Sequence, residues 1–508
     1  METLLVSNKN RTYKDFYPFY KGPVKVLLSS KSEKRIIKSH NHLINALKKG
    51  KSIYGVNTGF GNLSHITIDS PHIAKLQMNL VRSHASGTGA PMSLGLVRTI
   101  LFLKLLTFSK GYSGVSIELA KKIIQFLNKD ILPVIPEKGS VGASGDLAPL
   151  GHLALALIGE GEVFCKGERI KTTEALSKVR IRPLSLKPKE GISLINGTQV
   201  STAIAINNLI NGERLLKVAD IAGAISVENS FSSRKVFQKK IHTLKLHLGQ
   251  RSSANNVYRL LHNSGVVKSH TNCGKVQDPY SFRCIPHIHG ACRDIFANSA
   301  KIINNEINSI SDNPLIFDNN NIVSSGHFHA EHVALALDSL AISFSELGAI
   351  SERRIHYFMK GIKDKIPPFV TKTPGIESGY MIAHVTASAL ASENKTLSHP
   401  ASIDSMPTSG GQEDIVSMAP WAGYKLMGIQ KNIDKILSIE LIVAGAAYYI
   451  CSSDLDAGHG TKPILKALNK YCSFQSGDRS LYNEINSVTK FVRSGTILDI
   501  ISEVLTLE

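Results

Sequence analysis

Residues 139–151 read Gly-Ser-Val-Gly-Ala-Ser-Gly-Asp-Leu-Ala-Pro-Leu-Gly. The tripeptide Ala143-Ser144-Gly145 has the residue types for a reaction of the backbone with itself. Attack of the Gly145 amide nitrogen on the Ala143 carbonyl carbon, with loss of two waters, closes a five-membered ring. Its exocyclic methylene comes from the Ser144 side chain. Gly145 offers an unhindered nitrogen, Ala143 a small approach and Ser144 a leaving hydroxyl, while glycines at 139, 142 and 145 permit a tight backbone. Ordinary side chains include no strong electrophile, so such chemistry usually recruits a cofactor. A serine-hydrolase elbow fits less well, because G-x-S-x-G needs Gly at 146 and the chain has Asp146. Taken alone, the segment also reads as a glycine-rich loop ahead of the apolar stretch 147–158.

Other polar or glycine-rich segments interrupt an otherwise helical pattern. Residues 54–61, Tyr-Gly-Val-Asn-Thr-Gly-Phe-Gly, match neither G-x-G-x-x-G nor the P-loop, but suit a loop that holds one phenol in a cavity. Residues 82–87 carry Ser83-His84, and 196–199 read Asn-Gly-Thr-Gln. Residues 277–284 run Gln-Asp-Pro-Tyr-Ser-Phe-Arg-Cys, in which Arg283 offers two parallel donors to a carboxylate. Then come Ser-Asp-Asn-Pro-Leu at 311–315, Gly-His-Phe-His-Ala-Glu at 326–331, Ser-Glu-Arg-Arg at 351–354 and Gly-Gln-Glu-Asp-Ile-Val-Ser-Met at 411–418.

These segments, in this order and with the tripeptide, resemble the aromatic amino acid ammonia-lyase family over nearly the whole chain. In that family the ring is methylidene-imidazolone (MIO). The resemblance implies an MIO formed from Ala143, Ser144 and Gly145, with no diffusible cofactor, and non-oxidative loss of ammonia from an α-amino acid to give a trans-α,β-unsaturated acid. It makes Tyr54 the base at the β-carbon, acting as phenolate. Arg283 would clamp the substrate carboxylate; Asn196, Gln277 and Tyr280 would hydrogen-bond the electrophile or the substrate, and Phe328 would pack beside the ring. It also implies a homotetramer whose active sites draw on three subunits.

Substrate choice rests on His84 and Glu413. A carboxylate opposite an imidazole suits a polar, protonatable ring, so the expected substrate is L-histidine and the products trans-urocanate and ammonia. Histidine-specific members often continue Gln-Glu-Asp with His, whereas this chain has Ile415. Tyrosine deamination and an aminomutase outcome therefore stay open, since both also use Ser-His at the second segment. A non-catalytic basic scaffold would be expected to lack the tripeptide or Tyr54, and both are present. The histidines at 327, 329 and 332, with His287 and His289, invite a metal reading but match neither H-E-x-x-H nor H-x-x-E-H. No metal is expected, although His327 and His332 depart from the family pattern.

The elements that position these residues are mostly helical. Apolar periodicity predicts helices over 72–82, 94–108, 117–128 and 199–222, and long apolar helices over 332–359, 380–397 and 432–451. The expected class is mainly α: a long-helix bundle, L-aspartase/fumarase-like by resemblance, with a glycine-rich catalytic N-terminal part. The division is placed at 1–200 and 201–508. Strand signals are few: 163–165, 169–171, and 315–317 with 322–323 around a polar turn at 318–321. The 508 residues can bury a large core. Six cysteines, at 165, 273, 284, 292, 451 and 472, show no C-x-x-C spacing and suit a reducing compartment. The N-terminus lacks the apolar run of a secretory signal, and no uncharged apolar stretch reaches membrane-span length; a cytoplasmic protein is expected. The formal charge of +19 comes largely from 25–51 and 234–275, without the aromatic interleaving or motifs of nucleic-acid binders. The expected partner is a small amino acid, with neither nucleic acid nor membrane.

Overall fold

The computed structural model describes residues 2–271, 274–317, 321–474 and 477–508. Helices dominate, and among the described residues the strands pair in four small sheets. The periodicity over 72–82 becomes the helix Ile73–His84, and 94–108 becomes Leu94–Ser109. The stretch 117–128 is the helix Ile117–Asn128, whose N-cap Ser116 accepts from the Leu119 amide and satisfies one of the free N–H groups of the first turn. The longest helices are Gln199–Asn229, Ile285–Asn308, Glu331–Met359 and Ala419–Cys451. Two of these outrun their sequence signal: 199–222 continues to Asn229, and 432–451 starts at Ala419.

The strands Glu162–Cys165 and Glu168–Lys171 pair antiparallel as a hairpin, with Ile131–Pro133 added on the other side. Leu315–Ile316 pairs with Ile322–Val323, and most of the intervening turn lies outside the described residues. Sequence patterning misses Thr3–Val6 with Lys25–Leu28, a parallel pair, and Thr88–Pro91 with Pro136–Lys138, an antiparallel one. Thr88–Pro91 and Pro136–Lys138 carry glycine or proline, which read as turn signals, and the short apolar runs at 3–6 and 25–28 do not separate strand from helix by periodicity.

The described chain gathers into two compact units. The first comprises Met1–Ile210, Ala300–Leu337 and Pro400–Tyr424. At its centre the helix Leu94–Ser109 is buried from Gly95 to Ser109, including Arg98 and Lys104. Helices Ile73–His84, Leu147–Leu157 and Glu190–Ile195 pack against one another in this unit. The second unit comprises Asn211–Ser299, Asp338–His399 and Lys425–Glu508. Its core holds a fully buried ion pair, Arg354 with Glu440 at 2.5 and 2.9 Å. A second buried group is Asp220, which accepts from His289 at 2.8 Å, Ser253 at 2.7 Å and Arg293 at 2.6 Å. Among the described residues one helix, Glu331–Met359, is long and apolar enough to cross a membrane by length and composition. Of its apolar window 72% is buried inside the protein, as in a core helix.

Candidate active site

The loop before helix Leu147–Leu157 is shaped by glycines. Gly142 has φ +67°, and a Cβ there would lie 2.3 Å from Ser417 Oγ. Gly145 has φ +79°, and its Cβ would lie 2.2 Å from the Gly197 carbonyl oxygen. Only glycine meets both demands at these positions. Around the loop, Met418 N donates to Val141 O at 2.8 Å, and Ser417 Oγ to Gly142 O at 2.9 Å. Gly145 bridges Gly197 in parallel register, and Asp146 N donates to Gly197 O at 2.9 Å.

Asp146 is fully buried beneath the loop. Its carboxylate accepts from Ser201 N at 2.8 Å, Ser201 Oγ at 2.7 Å and Ser140 Oγ at 3.0 Å. Burial pushes its carboxyl above the ordinary range, against the pull of those donors. The Ser140 hydroxyl in turn accepts from Gly142 N at 3.1 Å. The backbone of the tripeptide is thus gripped from several sides, while Ser144 faces a cavity.

That cavity, of about 400 Å³, is lined by Tyr54, Ala143, Ser144, Asn196, Phe328 and Glu413, among others. A narrower recess of about 90 Å³ shares Tyr54, Ser144, Asn196 and Glu413 and adds His84 and Leu80. Tyr54 stands edge-on to Phe60, ring centres 6.3 Å apart, and its oxygen accepts from Gly61 N at 3.2 Å. The turn carrying it is fixed by buried Gln77, which donates to Gly55 O at 3.0 Å and accepts from Gly191 N at 2.9 Å. Asn196 is 4% exposed, and its Oδ1 has no hydrogen-bond partner among the described residues. A buried amide oxygen without a partner costs free energy and marks a place where a ligand or a modified group would sit.

Glu413 closes a tight turn in which Thr408 N donates to Glu413 O at 2.9 Å. Its carboxylate accepts from Thr408 Oγ1 at 2.6 Å, Ser409 Oγ at 2.8 Å and the Ser144 hydroxyl. Burial raises its pKa, but these donors outweigh burial and hold it below the usual carboxylate range. His84 Nδ1 lies 2.8 Å from Leu80 O, an acceptor only, so this nitrogen carries the proton and Nε2 is the acceptor. Burial pulls the His84 pKa down, partly opposed by the Leu80 carbonyl and the Glu413 charge. Near neutral pH the recess therefore presents a neutral imidazole and an anionic carboxylate.

Of the residues singled out in the sequence, Tyr54, His84, Ala143, Ser144, Asn196, Phe328 and Glu413 line these two cavities. Gly145 lies behind them against Gly197. Gln277, Tyr280 and Arg283 belong to the second unit and line neither cavity. Tyr280 is 69% exposed, the Arg283 guanidinium sits 4.5 Å from its ring centre, and Arg283 Nε is buried without a partner among the described residues. Sequence reasoning did not single out Asn313, Ser325 and His329 as cavity residues. Asn313 Oδ1 accepts from Ser325 N at 2.7 Å, and His329 Nε2 lies 3.3 Å from the Ile415 carbonyl. The Asn313 segment was visible as a polar break, but not which way its side chains face. His327 pairs with the Ser325 hydroxyl at 3.0 Å, and both His327 and His332 act electrostatically on Glu306. Among the described residues no group of three or more His, Cys, Asp or Glu is placed to hold a metal.

A mainly helical fold carrying a glycine-gripped Ala-Ser-Gly loop beside a phenol and a carboxylate defines an enzyme-like pocket built without a metal cluster among the described residues. The sequence profile of the aromatic amino acid lyases matches residues 12–470, and the chain belongs to that family. The chain is 48% identical over 423 residues to histidine ammonia-lyase of Burkholderia multivorans, covering 83% of this chain and 84% of that protein. The structure of histidine ammonia-lyase from Trypanosoma cruzi superposes with a TM-score of 0.90 at 33% identity, covering 100% of this chain and 96% of the other. Tyrosine aminomutase from Streptomyces globisporus superposes with a TM-score of 0.93 at 30% identity, covering both chains fully.

Proposed function

We propose that this protein removes ammonia from L-histidine without oxidation, releasing trans-urocanate. The observation that carries this reading is Glu413, an anionic carboxylate in the same recess as neutral His84, Tyr54 and Ser144. A carboxylate there accepts an imidazole N–H and stabilises positive charge on the substrate ring. The identity to a histidine ammonia-lyase supports the same substrate.

The electrophile in this reading is an MIO formed from Ala143, Ser144 and Gly145. The residues present fit it: the left-handed Gly145 backbone lies where a Cβ would strike Gly197, and Asn196 Oδ1 lacks a partner among the described residues. When formed, the group supplies an electrophilic methylene that makes the substrate amine a better leaving group. The chain's own side chains do the rest. The Tyr54 oxygen, receiving the Gly61 N–H, is the group that takes the β-proton. Glu413 and His84 fix the substrate ring, and Phe328 covers the cavity wall. Fixing the Cα–Cβ geometry removes much of the entropic part of the barrier.

The same reading makes the active form a homotetramer in which Gln277, Tyr280 and Arg283 of one copy complete the cavity of another. Its support is the exposure of Tyr280 and an Arg283 Nε with no partner among the described residues, neither residue lining the cavity of its own chain. A cytoplasmic setting fits the five described cysteines, all free. A second reading, a tyrosine lyase or aminomutase, is favoured by the structural likeness to tyrosine aminomutase and by Ile415 at the cavity wall. Incubation with histidine, tyrosine and phenylalanine separately, following the ultraviolet absorbance of each unsaturated acid, separates the readings. Histidine is expected to give the highest kcat/KM; a higher value for tyrosine would overturn the assignment.

A further inference from the structure

Lys104 lies in the helix Leu94–Ser109, which is buried from Gly95 to its end, and is itself 0% exposed. A lysine so deep must be held by specific acceptors, because its amine loses all its water. Its Nζ donates to Asn196 O at 2.6 Å and to Ser193 O at 3.0 Å, and lies 5.7 Å from the Phe108 ring centre. The two carbonyls belong to the end of the short helix Glu190–Ile195, whose C-cap is Asn196. The last carbonyls of a helix have no partner within it, and a cationic donor is well suited to cap them. The charged groups around Lys104 are Asp312, Asp146 and Lys189; Lys189 has its own contacts, with Ser193 Oγ at 2.7 Å and Asp312 at 3.3 Å.

What this cap holds is the segment that faces the tripeptide. Asn196 lines the cavity, and the next residue, Gly197, bridges Gly145 and accepts from Asp146 N. We propose that Lys104 is a positioning residue, capping helix Glu190–Ile195 so that the Asn196 side chain and the Gly197 backbone are held against Ala143–Gly145. Burial lowers the Lys104 pKa to about 7, with Asp312 and Asp146 opposing and Lys189 adding to the fall. The ammonium has three N–H donors and the neutral amine two, so either form serves both carbonyls. The cap therefore persists across neutral pH. This role rests on the proposed ammonia-lyase reading only for its kinetic consequence, not for the geometry.

The test uses Lys104→Met and Lys104→Gln in the full-length protein, each compared with wild type by circular dichroism. Three readouts follow: amide hydrogen exchange of a peptide covering 190–199, intact mass, and kcat and KM for L-histidine. The expected result in at least one folded variant is faster exchange confined to that peptide, with kcat lowered about 100-fold and KM little changed, the size of effect a shift of about 1 Å in a positioned group produces. An intact mass still two waters below the sequence mass locates the defect in turnover; one that retains both waters locates it in ring closure, and both support positioning. Unchanged exchange, unchanged kcat, or global loss of structure in both variants overturns the role. If wild type fails to deaminate histidine, the proposed function falls, while the exchange measurement still decides the cap.

Discussion

Replacing Glu413 by Gln keeps the shape of the side chain and removes its charge. In the wild type with the ring closed, the Ser144 hydroxyl is lost as water and the carboxylate keeps two hydroxyl donors, from Thr408 at 2.6 Å and Ser409 at 2.8 Å. These donors pre-orient it in a half-buried recess where an ionic hydrogen bond to a substrate imidazole is poorly screened. A hydrogen bond to a charged group contributes about 1.5–3 kcal/mol, against about 0.5–1.5 for a neutral pair. The difference, about 1–1.5 kcal/mol, corresponds to roughly a tenfold loss in kcat/KM for histidine. Truncation to Ala removes the acceptor altogether and strands the Thr408 and Ser409 hydroxyls, so about 100-fold is expected there. The assay is formation of trans-urocanate followed by absorbance, with tyrosine in parallel and intact mass as a control on ring closure. Because a phenol carries no positive charge, any tyrosine turnover should fall by less than histidine turnover in Glu413→Gln. An equal loss for both substrates, or none for histidine, would refute the assignment of Glu413 to the substrate ring.

Ser144→Ala should keep the fold, keep both waters in the intact mass and lose turnover. Tyr54→Phe removes the base and should lower kcat by about 100-fold or more while the mass still shows two waters lost. Co-expression of Ser144→Ala with Arg283→Met, each inactive alone, should restore part of the activity in mixed assemblies; no recovery would count against sites shared between copies. Arg354→Met should cost about 3–5 kcal/mol in chemical denaturation by leaving Glu440 buried and unpaired, and adding Glu440→Leu should recover much of that loss. Burial raises the Asp220 pKa, but the charge of Arg293 and the His289 and Asn256 donors outweigh it and hold the carboxyl far below the usual range. A depressed folded-state pKa contributes stability that is present above the unfolded carboxylate pKa and lost as pH falls through the acid range. Urea midpoints measured between neutral and acid pH should fall accordingly, and less steeply in Asp220→Asn.

Much of this arrangement is legible in the sequence, for physical reasons. Long buried helices such as Leu94–Ser109 and Glu331–Met359 announce themselves by apolar content, and the glycines at 142 and 145 by a spacing that only a tight loop needs. Tyr54, His84, Asn196 and Glu413 stand in polar breaks of the helical pattern, which is where cavity residues concentrate. The residues that hold the site are harder to see. Gln77, Asp146 and Lys104 are buried polar groups whose partners lie far away in sequence, so nothing local distinguishes them from solvated side chains. Asn313 and Ser325 escaped for the same reason, since the contact between them is what faces them into the cavity. Gln277, Tyr280 and Arg283 are conspicuous as a motif, yet a motif carries no information on which cavity it serves.

The most direct test of the central claim is the fate of L-histidine itself. Nuclear magnetic resonance of the reaction mixture, with ammonia quantified alongside, should show trans-urocanate and ammonia formed in equal amounts and no β-amino acid. Unconsumed histidine under conditions where tyrosine is converted, or a β-amino acid accumulating in place of ammonia, would contradict it.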